Sequence, residues 1–440
     1  MRPYAIQGAL LLAVMAAAGG VIMGQVHHEK TDSATQPASP WSRPAELGGG
    51  GVVGSPGGTH PLAIDGKTVY AGWFQGGRIH LRTSADGGAT WGDSAAVTSG
   101  HAALYPCSLE LAGGVLHLFW PDSRHRGLWE PYYKQSTDGG ATWSEEVRLS
   151  PGTDLFRWAT AVSGKSVHLA WFNKHLLEKV PAGDQTWTWT WGEIYYQHST
   201  DGGVTWDKPV RLTQPDSTAC RPSIAASGRY VHVTWLDNRD ARQKPGWDWE
   251  IYYKRSTDGG ATWGPDVRMS DTPWHSRHPQ IVALPDDRVC CIWEDGQAWD
   301  GKTSRGWSGD GAMYVAVSKD AGKTWAAPKR ITFVNSPNGR ATHAKSFAWG
   351  SRVYLVWTDV AEGSGTKDLR ARAAYYTMSP DGGETWTPTE PLAAGHHGDW
   401  APNAVAGTGS SAVVMLNSGG TMYTSVRREP TTRPVEGESR

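Results

Sequence analysis

Four arginines, Arg157, Arg221, Arg277 and Arg340, stand at comparable points in four successive units of a repeating pattern. A guanidinium is a planar, permanently charged fork that grips a carboxylate through two parallel hydrogen bonds. Arginines recurring in this way point to recognition of an acidic group; the plainer reading is that each pairs with a neighbouring Asp or Glu. His60, Tyr105 and His278 occupy related points of the pattern, His278 directly after Arg277. Candidates for proton transfer are Glu294 and Asp295 in WEDG (293–296). They break a pattern that elsewhere reads PDSR (121–124) and LDNR (236–239), where Asp122/Arg124 and Asp237/Arg239 share a face and read as ion pairs. Glu130, Glu193 and Glu250 recur at one position each and read as structural. Trp189, Trp247 and Trp307 lie in long stretches between short apolar segments, the first within TWTWTW (186–191). Indoles in such places suit stacking on sugar rings, or else pack the loops against one another.

These residues are carried by a repeat. STDGGATW occurs at 136–143 and again at 256–263, with relatives SADGGATW (84–91), STDGGVTW (199–206), SKDAGKTW (318–325) and SPDGGETW (379–386). The aspartates Asp86, Asp138, Asp201, Asp258, Asp320 and Asp381 are 52 to 63 residues apart, a period that marks a repeat architecture. Around each box the flanks also repeat. A short strand opening near proline (RPSIAAS, HPQIVAL) leads to one ending in Trp (SVHLAW, YVHVTW). An aromatic strand (EIYYQHS, EIYYKRS) and, after the box, a fourth (KPVRLT, PDVRMS) complete the unit. Alternation of period two with no helical period gives four-stranded units, and such units arranged about an axis form a β-propeller. The box is then the hairpin between third and fourth strands, with glycines at positions of positive φ and Trp as a plate between neighbouring units. Six boxes close six units. A seventh set of three strands ends the chain, and WSRPAEL (41–47) resembles WSEEVRL (143–149), so an N-terminal strand is expected to complete a seventh blade; six blades is the alternative. The long second-to-third-strand connections (121–130, 172–192, 236–249, 294–311 and 358–373) and the starts of the first strands share one face, where an axial binding pocket is expected.

The S-x-D-x-G-x-T-W repeats resemble the Asp-box, or bacterial-neuraminidase, repeats of the sialidase superfamily, over residues 41–427. That resemblance implies glycoside hydrolysis at an axial pocket, with the sugar carboxylate held by three arginines; Arg221 and Arg277 are similar in place to two of them. It further implies a Tyr nucleophile raised by a Glu and an Asp acid/base. The chain departs from the pattern in THPLAI (59–64), which puts His60 where the family has an arginine. RATHAKSFA (340–348) offers no Tyr, and no Glu precedes Arg221 in QPDSTAC. Tyr105 is the nucleophile that remains, with Glu294 and Asp295 as acid and base. Arg157, Arg221, Arg277, Arg340, His60, His278, Trp189, Trp247 and Trp307 are then substrate contacts. The rival is a non-catalytic propeller that holds a polysaccharide or protein on its tryptophan-rich loops.

Composition bounds these readings. Net charge is −1 with no basic stripe, which argues against nucleic acid as a partner. The chain holds 25 Trp and 54 Gly against 6 Phe, a balance suited to strands and tight turns. Cys107, Cys220, Cys290 and Cys291 form no CxxC, and the DGG stretches lack the alternating oxygens of a calcium loop, so neither metal nor organic cofactor is expected. One disulfide, with Cys220 as a member, is left open. Arg2 and the apolar run Ala9–Met23 make residues 1–24 a signal peptide or N-terminal membrane anchor. Residues 25–40 read as a linker and 428–440 as a tail. A secreted or periplasmic monomer acting on or binding glycans is the resulting expectation.

Overall fold

Short strands, broken by Gly, Pro and Asp, can neither pack alone nor leave their edges bare. The computed structural model describes residues 39–428 apart from 50–59, 101–106, 126, 183–184, 215–218, 240–248, 273–274, 300–306, 309–310, 333–340, 361–371, 393–400 and 410. Among these residues it is all β, with seven antiparallel sheets whose strands pair in chain order. The first strands of blades 1 to 7 are Leu62–Asp65, Ser108–Ala112, Leu155–Ser163, Ala219–Ser227, His275–Ala283, Thr342–Trp349 and Ala401–Gly407. Blade 7 is completed by Ala45–Gly49, with Ala45 opposite Thr424 and Gly49 opposite Thr421. Trp41 bridges Arg427 and donates from Nε1 to Glu390 (3.2 Å). The ring therefore has seven blades and is closed by an N-terminal strand, as the sequence implied.

The core is divided into seven apolar clusters, each shared by two adjacent blades. One of them joins Leu47 and Met415 of blade 7 to Trp73 of blade 1 and so seals the ring. The Trp of each second strand in blades 1 to 6 is fully buried. At ~200 Å² per indole and ~25 cal/mol/Å², each contributes about 5 kcal/mol before conformational entropy is set against it.

The boxes are structural turns. In blade 2, Ser136 donates to Asp138 (2.8 Å), the Thr142 amide donates to Asp138 (2.9 Å), and Gly140 N donates to Ser136 Oγ (2.8 Å). The Thr142 hydroxyl, and then the Thr142 amide and the Ser136 hydroxyl, hold the Asp138 carboxyl down at about 2. The second box glycine abuts the preceding blade: a Cβ on Gly203, Gly260 or Gly322 would overlap Tyr133, Tyr196 or Tyr253. The same tyrosines receive the box tryptophans edge-on, as in Trp263 against Tyr196 at 4.9 Å. Each also bonds a buried histidine at Nδ1: His117 (2.8 Å), His168 (2.7 Å) and His232 (2.7 Å). One box departs from the rule, with Ala321 at φ 53° where its relatives have glycine.

Two expectations change. Stretch 172–192 is largely not a loop: Ser166–Ala182 and Gln185–Ser199 pair along their length, Glu178 opposite Trp189. The alternation of Trp and Thr in TWTWTW is strand chemistry of period two, which prolongs the hairpin. Likewise Trp307–Ser308 pairs with the end of Val289–Trp299. The four cysteines are unpaired thiols.

Candidate functional site

In a propeller the first strand of each blade is its inner edge, so residues at the starts of these strands converge on the axis. In blades 4, 5 and 6 the pairing of first with second strand slips at the same point, between Cys220 and Ser223, Arg277 and Gln280, and Thr342 and Lys345. The inserted residues Arg221, His278 and His343 have φ of 54°, 48° and 57°. Left-handed backbone at a non-glycine costs roughly 1–3 kcal/mol and tends to be kept where a side chain must be aimed. Three such residues in successive blades build one side of the axis.

The register also corrects a sequence inference. Arg277 lies opposite Glu294, as Cys220 lies opposite Leu236 and Arg157 opposite Phe172. Arg277 is thus the counterpart of Arg157 and Cys220, whereas Arg221 corresponds to His278. Arg221 and Arg277 sit one position apart in their blades, an offset that the prolines following Arg221 and His278 mark in the sequence.

Five blades contribute to the resulting cluster. Blade 3 supplies Arg157, blade 4 Arg221, blade 5 Arg277, His278 and Glu294, blade 6 His343 and Lys345, and blade 1 His60. Glu294, 1% exposed, accepts from His278 Nδ1 at 2.7 Å, and the His278 ring lies 4.9 Å from that of His343. The Arg221 guanidinium is half-buried and makes no hydrogen bond or ion pair among the described residues. Burial lowers its proton affinity, and Glu294 offsets part of that. Lys345, 2% exposed, is pushed down to about 7 by burial and then by Arg157 and Arg221. His278 is driven well below the usual imidazole range by burial, then by Arg221, Arg277, Arg157 and Lys345. His60 is lowered to about 3 by burial and Lys345. Arg221, His278, His343 and Lys345 line one narrow cleft of about 10 Å³, the volume of a single water.

Further along the same strands lies a larger axial cavity of about 170 Å³, lined by the first strands of blades 1 to 6. Its wall mixes aliphatic side chains with the polar His60, Glu110, Thr160 and Ser346. The Glu110 carboxyl accepts from Thr160 (2.6 Å) and is pushed up to about 8 by burial. The cations stand at the cleft, so the candidate site is the cleft and its surroundings.

Other carboxylates are explained by structure. Asp122 binds Arg124 and Asp237 binds Arg239, both at 2.6 Å, while accepting from Trp120 and Trp235. Glu130 and Glu250 pair with Arg148 (2.5 Å) and Arg268 (2.7 Å). Asp295, opposite Ala312, occupies the place of Asp122 and Asp237 and accepts from Thr272 (3.0 Å). Its neighbour Glu294 points to the other face of the strand, so the two do not act as a pair. Tyr105, Arg340 and Trp247 lie outside the described residues; Trp189 and Trp307 lie on described strands. Lys345 is the functional candidate that residue types missed, because a lysine in a strand ordinarily reads as solvent-facing. No cluster of three or more metal-ligating side chains occurs among the described residues.

Residues 67–298, more than half of the chain, match the family described as BNR repeat-like domain. Among curated proteins nothing matches. Among solved structures, a polysaccharide lyase PL25 ulvan lyase bound to -[GlcA(1-4)Rha3S]- superposes with a TM-score of 0.56 at 11% identity, over 87% of this chain and 95% of that one. The Penicillium chrysogenum α-L-arabinanase complexed with arabinobiose gives 0.45 at 16%, over 73% and 92%. YCF48 bound to D1 peptide gives 0.48 at 15%, over 90% and 98%. At such identities the likeness is one of fold.

Proposed function

We propose, for a chain that belongs to the BNR repeat-like domain family, that the axial cluster seats an acidic glycan through its sugar carboxylate. The observation that carries this reading is the excess of cations at one buried place. Arg157, Arg221, Arg277 and Lys345 all act electrostatically on the buried His278, and Arg221 makes no ion pair among the described residues. Unpaired charge held out of water is costly, and an arriving carboxylate relieves it through charge-assisted hydrogen bonds. Glycan-active propellers among the fold neighbours agree with this reading without supplying it. The same proposal puts the activity outside the cytoplasm, with residues 1–24 as a signal peptide or N-terminal anchor.

Sialidase-type hydrolysis is one finer form, with Arg157, Arg221 and Arg277 on the carboxylate and Tyr105 as nucleophile. Turnover of a fluorogenic α-sialoside, lost in Arg221→Ala, supports it. A second reading is a non-catalytic acidic-glycan binder. A glycan array tests the common core of both. Binding confined to uronate- and sialate-bearing glycans supports the proposal, and binding of neutral glycans alone contradicts it.

A further inference from the structure

We infer that this site cleaves its glycan by β-elimination, with His278 as the base that removes the proton α to the bound carboxylate. The inference rests on the acidic-glycan reading and deepens it to a substrate class, polysaccharides containing hexuronate linked through O4. A neutral imidazole carries one N–H. With Nδ1 within 2.7 Å of Glu294 that proton is held there, and Nε2 presents a lone pair. Nε2 is buried and has no hydrogen-bond partner among the described residues. His278 lines the cleft with Arg221, His343 and Lys345, and a left-handed backbone directs it there. The blade that supplies this histidine is the blade whose second strand carries Glu294, where blades 3 and 4 have Phe172 and Leu236.

The charged groups around the ring explain why it would act only on an acid. Burial first, and then Arg221, Arg277, Arg157 and Lys345, keep it neutral. A carboxylate bound among them cancels their repulsion and raises the basicity of Nε2 where the C5–H arrives. The same cations stabilise the enolate-like charge that develops on the carboxylate. His278 takes the C5 proton, the C5–H pair becomes the C4=C5 double bond, and the C4–O bond breaks with its pair on oxygen. That oxygen takes a proton from water at the cleft, and the hydroxide formed recovers the proton from His278. No water is incorporated, and the products are a 4,5-unsaturated uronate and a new chain end.

The full chain is incubated with polygalacturonate, alginate and a 4-linked glucuronate polymer in heavy-oxygen water, and binding of each is measured separately. The expected result is ultraviolet absorbance of the conjugated enoate with no solvent oxygen in the product. His278→Asn, chosen because Asn tolerates left-handed backbone, is expected to lower kcat roughly 100- to 10,000-fold with affinity retained. Glu294→Gln, a positioning change, is expected to lower kcat at unchanged KM and to move the acidic limb of the pH profile to lower pH. Cleavage with solvent oxygen incorporated overturns elimination and leaves the acidic-glycan reading standing. Binding of all three polymers without cleavage does the same, and full activity of His278→Asn overturns the role of that residue. Failure to bind any of them overturns the underlying reading as well.

Discussion

Acid should unfold this propeller well before its carboxylates titrate, because three buried rings in the blades add to His60, His275 and His278 at the axis, which burial also lowers. His117, His168 and His232, each at most 2% exposed, are lowered by burial to about 4, about 3 and about 3. Charge from His198 adds to burial at His168, and charge from Arg255 at His232. In the unfolded chain such rings titrate near ~6.5. The unfolded state therefore binds more protons below that value, so this stability is whole above ~6.5 and is lost as pH falls towards the folded values. Each ring costs about 1.4 kcal/mol per pH unit, hence about 2 kcal/mol between ~6.5 and ~5, and about 6 for three. Glu110 opposes them: raised to about 8, its stabilisation grows as pH falls from 8 and offsets about one ring. The box carboxylates, held at about 2 in the case of Asp138, lose their contribution only below ~4. Urea unfolding from about pH 7 to about pH 5 should show a steep fall in stability. Combining His117→Gln, His168→Gln and His232→Gln should lower stability at neutral pH and remove about half of that slope, the axial histidines keeping the rest. A wild-type midpoint indifferent to pH in this window, or a triple variant that keeps the full slope, would refute the reasoning.

Three further outcomes are expected. Gly260→Ala should destabilise by roughly 2–5 kcal/mol in a thermal melt, since its Cβ overlaps Tyr196 and its φ is +98°. Ala321→Gly should do the reverse, by about 1 kcal/mol, by relieving left-handed strain in the one box without the glycine. Affinity for an acidic oligosaccharide should weaken as pH rises through about 7, where Lys345 loses its proton, and Lys345→Arg should abolish that dependence while keeping the charge.

The fold was largely legible in the residues, because box spacing, strand alternation and the likeness of WSRPAEL to WSEEVRL each follow from how blades are built. The extended hairpin at 166–199 was legible in principle too, since Trp and Thr alternate with period two, but TWTWTW also reads as an exposed aromatic loop. The site was legible only by residue type. Arg157, Arg221, Arg277, His278, His60 and Glu294 converge, whereas the left-handed backbone that aims Arg221, His278 and His343 is announced by no single residue type. Arg221 precedes a proline and so does His278, while His343 takes the same conformation before Ala344. Lys345 and Glu110 were missed because burial, which sets their chemistry, is a property of the assembled ring.

The central claim, that the axial cations recognise a sugar carboxylate, is tested most directly by titrating the chain with an oligouronide and with its methyl ester, in which a small methyl group replaces the charge. The account predicts that the acid binds about 10- to 100-fold more tightly, as a charge-assisted contact of ~1.5–3 kcal/mol requires. Arg221→Ala should erase most of that difference. Equal binding of acid and ester, or a preference that survives Arg221→Ala undiminished, would contradict it.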